Sequence, residues 1–487
     1  MRIRLFVVAV AAILVGTPPC LAQPAADRHA LARKPEVAAA IKVLDSWIEA
    51  TVRQREQPGL SVGIVYDQDL IWAKGYGHAD LERRIAAAPA TIYRIASISK
   101  LFTATAIMQL RDAGRLQLDD PVSQRLSWFS IKKTYEGGPA ITIRHLITHT
   151  SGLPREVSGV NWSDLTFPSR DEMLRVLPAQ ETVFPPQTEW KYSNLAVALA
   201  GEIVAQVSGE SWPGYVERQI LQPLGMTATR AVPARDTPGL AVGYGRRVPG
   251  RPRDVEPFVD MGAESPAASL ASNVEDLAKF VSLQFRDGAA GGPQILRGST
   301  LREMHRVQWL RPDWQSGWGL GFSVRRVGDQ VRIGHPGSLP GHRTRIEIAP
   351  AQKLGVIVLA NANDGDPLPY IDQGFRLVGP AVAKAVAAPE TPRVADPAWQ
   401  RYVGRYAWKF SERQIEILNG ELTMIVPEDD NPWSSRMILK PVGPHTFRMV
   451  APGPSFGPIG ELLTFEMDAN GKVARVRTAN SHFLPIE

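Results

Sequence analysis

Cysteine is almost absent from this chain of 487 residues, which contains only Cys20. That residue lies in an N-terminal segment with the pattern of a signal peptide. Arg2 and Arg4 precede an apolar run over residues 5–15, and the small residue Ala22 follows a helix-breaking stretch. We predict cleavage after Ala22 and export to the periplasm or out of the cell. The mature chain would then have no disulfide, no thiolate metal ligand and no cysteine nucleophile.

Long apolar runs are also missing. The run over residues 5–15 is too short to cross a bilayer, and the composition excludes a polytopic membrane protein. We expect no transmembrane segment once the signal peptide has been removed. Lipid attachment at Cys20 is an alternative fate for the N-terminus, disfavoured because Pro18 and Pro19 form a poor recognition site for it.

Clusters of basic residues are absent as well. The formal net charge is +6, but lysine and arginine are scattered among acidic residues and never form a run of five. The excess of positive charge therefore indicates a mildly basic surface, and we expect no nucleic-acid partner. The alternative, DNA binding, would show as retention on DNA that falls steeply with salt.

Hydrophobic periodicity places the chain in the α+β class. Residues 23–36 are polar and rich in alanine, which predicts a flexible tail, and helical periodicity covers residues 37–52. Alternating apolar patterns that indicate strands of an antiparallel sheet occur at residues 60–66, 320–326, 330–334, 344–348 and 354–360.

A change of composition divides the chain. Residues 386–397 are rich in proline and lack periodicity, which is typical of a linker. Beyond them, Asn-Gly pairs at 419–420 and 470–471 separate alternating runs and predict hairpins. We therefore predict one large domain over residues 37–385 and a small β-rich domain over residues 398–487.

Two patterns with a chemical meaning have a better structural explanation. Residues 453–457 match G-x-S-x-G, but prolines on both sides of Ser455 forbid the helix that a nucleophile elbow requires. His145 and His149 have the i, i+4 spacing of two metal ligands, but no glutamate follows the first and no third ligand is evident. We expect structural histidines and no bound metal.

The pattern S-x-x-K occurs twice. Residues 130–133 run into a loop with glycine and proline, whereas Ser97 and Lys100 open a predicted helix over residues 100–113. The i, i+3 spacing puts both side chains on one face, and the helix N-terminus can receive an oxyanion. A partly buried lysine can lose its proton and act as a base. An N-capping serine beside a surface lysine is the alternative, and this segment alone does not decide between them.

Two later segments favour the chemical interpretation. Tyr192 and Asn194 precede an apolar helix; the tyrosine can relay a proton and the asparagine can orient a lysine or bind a substrate amide. A predicted strand then leads into residues 335–338, His-Pro-Gly-Ser. Gly337 would let a substrate lie against the strand edge, and the N–H group of Ser338 could donate to an oxyanion.

With these segments in this order, the sequence resembles the serine β-lactamase and penicillin-recognising enzyme superfamily. The similarity is greatest to the branch of class C β-lactamases, D-alanyl-D-alanine carboxypeptidases and related esterases. It covers about residues 37–385 and is carried by residues 93–100, 143–154, 192–194, 272–280 and 335–337. The resemblance implies an antiparallel sheet flanked by helices, an all-helical lobe, and a site between them. The C-terminal segment resembles the lipocalin-like appendage of some members.

The resemblance also implies catalytic roles. Ser97 would be the acylated nucleophile and Lys100 its proton acceptor. Tyr192 would pass a proton to the leaving group and activate the deacylating water. Asn194 would hold Lys100 and the amide of the substrate.

The third motif departs from the family pattern. His335 would complete the electrostatic wall of the site, where class C β-lactamases have lysine, and a neutral imidazole binds a substrate carboxylate less firmly. Pro336 replaces a threonine or serine and removes a hydroxyl donor. The N–H groups of Ser97 and Ser338 would form the oxyanion hole, with Gly337 between His335 and Ser338 at the substrate edge.

These observations predict an exported serine hydrolase that cleaves an ester or amide through an acyl-enzyme on Ser97. The substrate would be a D-peptide, a β-lactam or a small ester, and the altered third motif favours an esterase or a peptidase over an efficient β-lactamase. We expect neither a metal nor an organic cofactor, and the oligomeric state is open. The alternative is a catalytically weak protein that binds penicillin or cell-wall peptides in the same cleft.

Overall fold

The structure is a computed structural model that describes residues 30–288, 292–387, 394–418, 420–427, 436–451 and 457–486. The chain divides into two compact units, one ending at Val386 and the other beginning at Ala387. The predicted signal peptide, with Cys20 and the cleavage site, lies outside the described residues. So do part of the predicted linker, Asn419 of the first predicted hairpin, and Ser455.

The first unit is built on strands from both ends of its sequence. Its eleven described strands are β1 (Gly59–Tyr66), β2 (Asp69–Asp80), β3 (Ile85–Ala86), β4 (Tyr93–Arg94), β5 (Ala271–Ser272), β6 (Trp309–Leu310), β7 (Ser316–Trp318), β8 (Ser323–Val327), β9 (Gln330–Leu339), β10 (His342–Ala349) and β11 (Leu354–Ala360).

Nine of these described strands form one antiparallel sheet, in the order β3-β2-β1-β11-β10-β9-β8-β7-β6, while β4 pairs with β5. This confirms the predicted antiparallel sheet. Strand β9 is unevenly paired: it pairs with β10 from Ile333 to Leu339, but its pairing with β8 stops at Gly334. The last five residues of β9 therefore have no strand partner on the side of β8 and form a free edge there.

Helices surround the sheet and also form a separate group. The described α-helices are α1 (Pro35–Gln54), α2 (Ser99–Asp112), α3 (Val122–Arg125), α4 (Ile143–Thr148), α5 (Arg170–Val176), α6 (Asn194–Ser208), α7 (Trp212–Val216), α8 (Gln222–Leu224), α9 (Ser265–Ala268), α10 (Val274–Leu283), α11 (Gly298–His305) and α12 (Leu368–Val386). The first begins at Pro35, inside the segment predicted as a flexible tail, because proline is well suited to the first turn of a helix.

Alternation along the central strands separates two hydrophobic cores. Val356 and Val358 of β11 belong to the core formed with α1 and α12. Ile357 and Leu359, which point the other way, belong to the core formed with α2, α6 and α10. The sheet is thus covered on both faces. Helix α2 packs against α6 and α9, and most of its residues are buried.

The second unit is a closed antiparallel barrel of eight strands, considering its described residues. They are β12 (Gly404–Trp408), β13 (Ser411–Leu418), β14 (Glu421–Ile425), β15 (Met437–Gly443), β16 (Thr446–Val450), β17 (Leu462–Met467), β18 (Val473–Arg477) and β19 (His482–Ile486). Pairing between β12 and β19 closes the barrel. Its interior is apolar, and Tyr402 stacks on Phe465 at 4.3 Å between ring centroids. The predicted all-β, lipocalin-like fold and the hairpin at 470–471 are confirmed.

No helix within the described ranges combines the length and the apolar character needed to cross a bilayer.

Candidate active site

Ser97 lies in a tight turn immediately before α2. A single 3₁₀ turn, Ala96–Ile98, runs directly into the helix, and Ala96 has a φ of 51°. A non-glycine residue in this left-handed region costs free energy that the surroundings must offset. Here they do so through hydrogen bonds from the Ile95 N–H to the Leu270 carbonyl (2.9 Å) and from Ser99 Oγ to the Ala96 carbonyl (2.6 Å). The turn holds Ser97 half-buried at the surface of a cleft.

Two polar side chains contact the hydroxyl of Ser97. Lys100 Nζ lies 3.1 Å from Ser97 Oγ, and the Tyr192 hydroxyl donates to the same oxygen over 3.0 Å. The i, i+3 spacing within one helical turn explains the first contact. The second joins residues 95 positions apart and depends on the packing of α2 against α6.

The surroundings of Lys100 favour its neutral form. The side chain is only 2% exposed, and Nζ donates to Asn194 Oδ1 (2.7 Å) and to the Ala267 carbonyl (2.9 Å). Burial lowers the pKa of Lys100 to about 7, although Glu264 and Glu156 act in the opposite direction. Both carbonyl oxygens can only accept, so the amine's two hydrogens are used there. The lone pair of the neutral amine is left facing Ser97 Oγ.

Tyr192 is held by aromatic packing. The His149 ring lies against it with 4.4 Å between centroids, and His149 Nδ1 accepts the N–H of Ser193 at 3.2 Å. Burial raises the pKa of the Tyr192 phenol and lowers that of His149. At neutral pH the phenol therefore keeps its proton and the imidazole is uncharged. His145 has a different task, because its Nδ1 accepts the Thr142 N–H at the start of α4.

His335 forms part of the wall of the site. It lies on β9, is 1% exposed, and packs edge-on against Trp318 with 5.4 Å between ring centroids. Nδ1 donates to the Pro336 carbonyl over 2.5 Å, which leaves Nε2 as a bare acceptor. Burial and the nearby Lys100 lower the pKa of His335 to about 3. The motif thus supplies a neutral ring where a lysine would supply a cation.

Gly337 has a structural reason to be glycine in addition to the one that the sequence suggested. A Cβ at this position would lie 2.2 Å from the Ile95 carbonyl oxygen and 2.2 Å from Thr344 Oγ1. The missing side chain makes room for the segment that carries Ser97, and Gly337 also lines the cleft. The predicted strand edge does exist, but it is the unpaired half of β9, where Pro336 and Ser338 are exposed.

A cleft of about 620 Å³ joins these residues. Ser97, Tyr192, Asn194, His335, Gly337 and Ser338 all line it, and Lys100 lies directly beneath Ser97. The structure thus brings together every predicted site residue. The oxyanion hole formed by the N–H groups of Ser97 and Ser338 stays a prediction.

Sequence reasoning missed several members of the site. Trp162, Trp190 and Trp318 make the cleft largely aromatic, and Arg155 contributes a charge at its rim. Trp190 stands two residues before Tyr192, beside a segment that the sequence already indicates. Trp162 lies in a loop and Trp318 ends strand β7, and no local pattern connects either tryptophan with the site.

The second S-x-x-K pattern has no such setting. Ser130 and Lys133 are both exposed, and no helix follows Ser130. Within the described ranges, no group of three histidine, cysteine or acidic side chains is placed to hold a metal ion.

Comparison with known proteins gives consistent results. The family described as Beta-lactamase matches residues 44–377. Protein flp from Staphylococcus aureus (strain COL) is 29% identical over 324 residues, which are 66% of this chain and 63% of that protein. This chain therefore matches less than two thirds of that relative's length.

Two solved structures share the fold. The octameric penicillin-binding protein homologue from Pyrococcus abyssi has a TM-score of 0.61 at 24% identity, covering 91% of this chain and 99% of its own. A β-lactamase/D-alanine carboxypeptidase from Yersinia pestis, complexed with citrate, has a TM-score of 0.60 at 23% identity, covering 71% and 99%. At these identities the similarity concerns the fold alone.

Proposed function

This chain belongs to the Beta-lactamase family, and from that premise we propose that it is a serine hydrolase that cleaves an ester or amide through an acyl-enzyme on Ser97. One observation carries the proposal: the Ser97 hydroxyl contacts both a buried lysine and a tyrosine. A structural serine would need neither group. The pair provides a proton acceptor and a proton relay for nucleophilic catalysis.

The proposed acylation step uses these two contacts. As Ser97 Oγ bonds to the substrate carbonyl carbon, its proton moves to the neutral amine of Lys100. The carbonyl oxygen becomes an oxyanion, which N–H groups at the start of α2 and on β9 would receive. When the carbon–leaving-group bond breaks, the leaving group takes a proton from Tyr192. The phenol recovers a proton from the Lys100 ammonium, which had taken it from Ser97.

Deacylation reverses the sequence with water. The water bonds to the acyl carbon and gives a proton to the Tyr192–Lys100 pair, the ester bond to Oγ breaks, and Ser97 regains its proton. Because burial raises the pKa of Tyr192, a standing tyrosinate is disfavoured. Lys100 is therefore the base that stores the proton, and Tyr192 is the group that conducts it.

The cleft favours an uncharged group next to β9. His335 is neutral, and three tryptophan rings line the same space. We propose an ester, or an amide such as a D-peptide, with an apolar part against these rings; a β-lactam would be a poorer substrate. The Yersinia pestis neighbour, described as a β-lactamase/D-alanine carboxypeptidase, supports the D-peptide option.

Mass spectrometry of the intact protein tests the proposal. Wild type and Ser97→Ala are incubated with a p-nitrophenyl ester, a penicillin, a D-Ala-D-Ala peptide and a fluorophosphonate. We expect a covalent adduct of the fluorophosphonate on Ser97 in the wild type and none in the variant. If the wild type neither turns over any substrate nor reacts with the fluorophosphonate, the proposal that the protein is an enzyme is refuted. Slow acylation without release would instead support the alternative, a binding protein that uses the same cleft.

Export belongs to the same proposal. The N-terminal residues 1–22 have the pattern of a signal peptide. Sequencing the N-terminus of protein recovered from the periplasm or medium should give Gln23 as the first residue. A protein that keeps residues 1–22 would contradict it.

A further inference from the structure

Two acidic side chains lie beneath the site without taking part in the proposed reaction. Glu264 precedes α9 and is 0% exposed, and the Glu156 side chain is 16% exposed. Both raise the pKa of Lys100, so both lie close enough to act on its charge. Neither contacts Ser97 by any hydrogen bond described here.

Glu156 determines which way the Asn194 amide faces. Asn194 Nδ2 donates to Glu156 Oε2 over 2.8 Å, and Asn194 Oδ1 accepts from Lys100 over 2.7 Å. A flipped amide would place its carbonyl against a carboxylate and its NH₂ group against the amine. Both contacts would then be lost, so the carboxylate selects the orientation that supports Lys100.

The two glutamates lie close together. Glu264 Oε1 accepts the N–H of Val157 over 2.9 Å, and Glu156 is near enough to act on the charge of the fully buried Glu264 carboxyl. Two adjacent negative charges at a buried position repel each other, which favours a single negative charge on the pair.

The two carboxyls differ in their hydrogen-bond donors. Glu156 accepts from Asn194 Nδ2, from Arg155 Nε (3.0 Å) and from Trp162 Nε1 (3.0 Å), so three donors face its oxygens. Glu264 Oε2 has no N–H donor. Burial and the adjacent Glu156 raise the pKa of Glu264 well above its ordinary value. Of the two carboxyls, Glu264 is therefore the better place for a proton, because it is fully buried and its Oε2 has no donor.

We propose that Glu156 and Glu264 act as a positioning pair that shares one proton: the Glu156 carboxylate orients Asn194 toward Lys100, and protonated Glu264 limits the charge beneath Lys100 to a single negative one. This inference rests on the proposed function, since it concerns the base of that reaction. One negative charge supports the ammonium formed during acylation. A second would hold the proton on Lys100 and prevent its action as a base.

Other charged groups near Lys100 do not replace the pair. Arg155 lies at the rim, and Tyr192, His149 and His335 face the amine but are uncharged near neutral pH. Glu264 itself faces Glu156 and Lys100. The charge on Glu156 and Glu264 is thus the main charge near Lys100 that changes with pH.

Glutamine variants separate the two roles, because glutamine donates a hydrogen bond as a protonated carboxyl does. The measurement is the pH profile of the rate at which a fluorophosphonate acylates Ser97 in the full mature chain. For Glu156→Gln we expect the acid limb to move about one pH unit lower, with a loss of about tenfold or more at the optimum because Asn194 is misplaced. For Glu264→Gln we expect the midpoint of the acid limb to stay at its wild-type pH. Glu202→Gln on α6, whose carboxylate pairs with Arg170, is the matched control.

Two outcomes would overturn the inference. If Glu264→Gln moves the acid limb downward as far as Glu156→Gln, both carboxyls are ionised and no proton is shared. If Glu156→Gln behaves like the Glu202→Gln control, Glu156 positions nothing.

A measurement independent of catalysis distinguishes this inference from the proposed function. Infrared spectra at neutral pH should show the carbonyl band of a protonated carboxyl in the wild type, and that band should be lost in Glu264→Gln. A wild type without the band refutes the shared proton even if the enzyme is active. A wild type with the band that no probe acylates refutes the proposed function instead.

Discussion

Gly337 touches the carbonyl oxygen of Ile95, two residues before the candidate nucleophile. The approach is so close that a Cβ on Gly337 would lie 2.2 Å from that oxygen. Thr344 Oγ1 donates to the same carbonyl over 3.0 Å from the neighbouring strand β10. Strands β9 and β10 therefore fix the position of the turn that carries Ser97, through the close approach of Gly337 and the hydrogen bond from Thr344.

Replacing this glycine tests that contact. Gly337→Ala must push β9 away from the Ser97 turn, and a displacement of this kind costs about 100-fold in kcat/KM when reacting atoms shift by about 1 Å. We also expect a loss of about 1–3 kcal/mol in the free energy of unfolding, because the added methyl has no space. Gly379→Ala in α12 is the control, since its Cβ would meet Leu354 at an ordinary 3.5 Å. Equal activity of both variants would contradict the proposed contact.

The pH dependence should report Lys100. The lysine accepts a proton only when neutral, and burial lowers its pKa to about 7. Activity should therefore rise with pH through about 7 and fall about tenfold for each pH unit below that. His335 does not add a second step there, because its pKa is about 3. A kcat/KM profile with its midpoint near that of an ordinary carboxylate or an ordinary lysine would exclude Lys100 as the base.

Tyr192→Phe removes the hydroxyl that donates to Ser97 Oγ and keeps the ring. We expect kcat to fall by about 10²–10⁴-fold, the usual contribution of a positioned proton donor or acceptor. The melting temperature should change little, because the ring still packs against His149. Rates of acylation and deacylation measured separately show which step needs the phenol. A variant with wild-type kcat would remove Tyr192 from the proposed mechanism.

Ser193 connects stability to the site. Its Oγ accepts the N–H of Ala196 at the start of α6 (2.9 Å) and donates to the Pro154 carbonyl (2.6 Å). Ser193→Ala removes an N-cap worth about 1 kcal/mol and leaves the half-buried Pro154 carbonyl without its donor, so we expect a total loss of about 2 kcal/mol.

Denaturation with urea measures this loss. Ser46→Ala, at an exposed position of α1, serves as the reference and should change stability by less than about 0.5 kcal/mol. A Ser193→Ala protein as stable as that reference would show that the cap is dispensable.

Local sequence patterns are sufficient to predict the Ser97–Lys100 contact and the sheet that is covered on both faces. The distance between Ser97 and Lys100 is set within one helical turn, so the spacing i, i+3 already implies their contact. Alternating residues on β11 likewise imply a sheet with two covered faces. These features depend on neighbours in sequence, and the sequence contains them directly.

Other features have no local signature. Glu264 lies 108 positions after Glu156, and nothing near either residue marks it as part of a pair. The tryptophans of the cleft come from two separate loops and from strand β7. The close approach of Gly337 to the Ile95 carbonyl has no local signature either, because Ile95 lies far away in sequence.

By itself, the sequence determined which chemical groups are available: a serine and a lysine one turn apart, a tyrosine and an asparagine before a helix, and no cysteine beyond Cys20. Only the tertiary structure decided how these groups act. Burial removes the water that would keep Lys100 charged, and the packing of α2, α6 and β9 brings its partners within hydrogen-bonding distance. Desolvation and long-range contact are properties of the folded chain, which is why no local pattern could predict them.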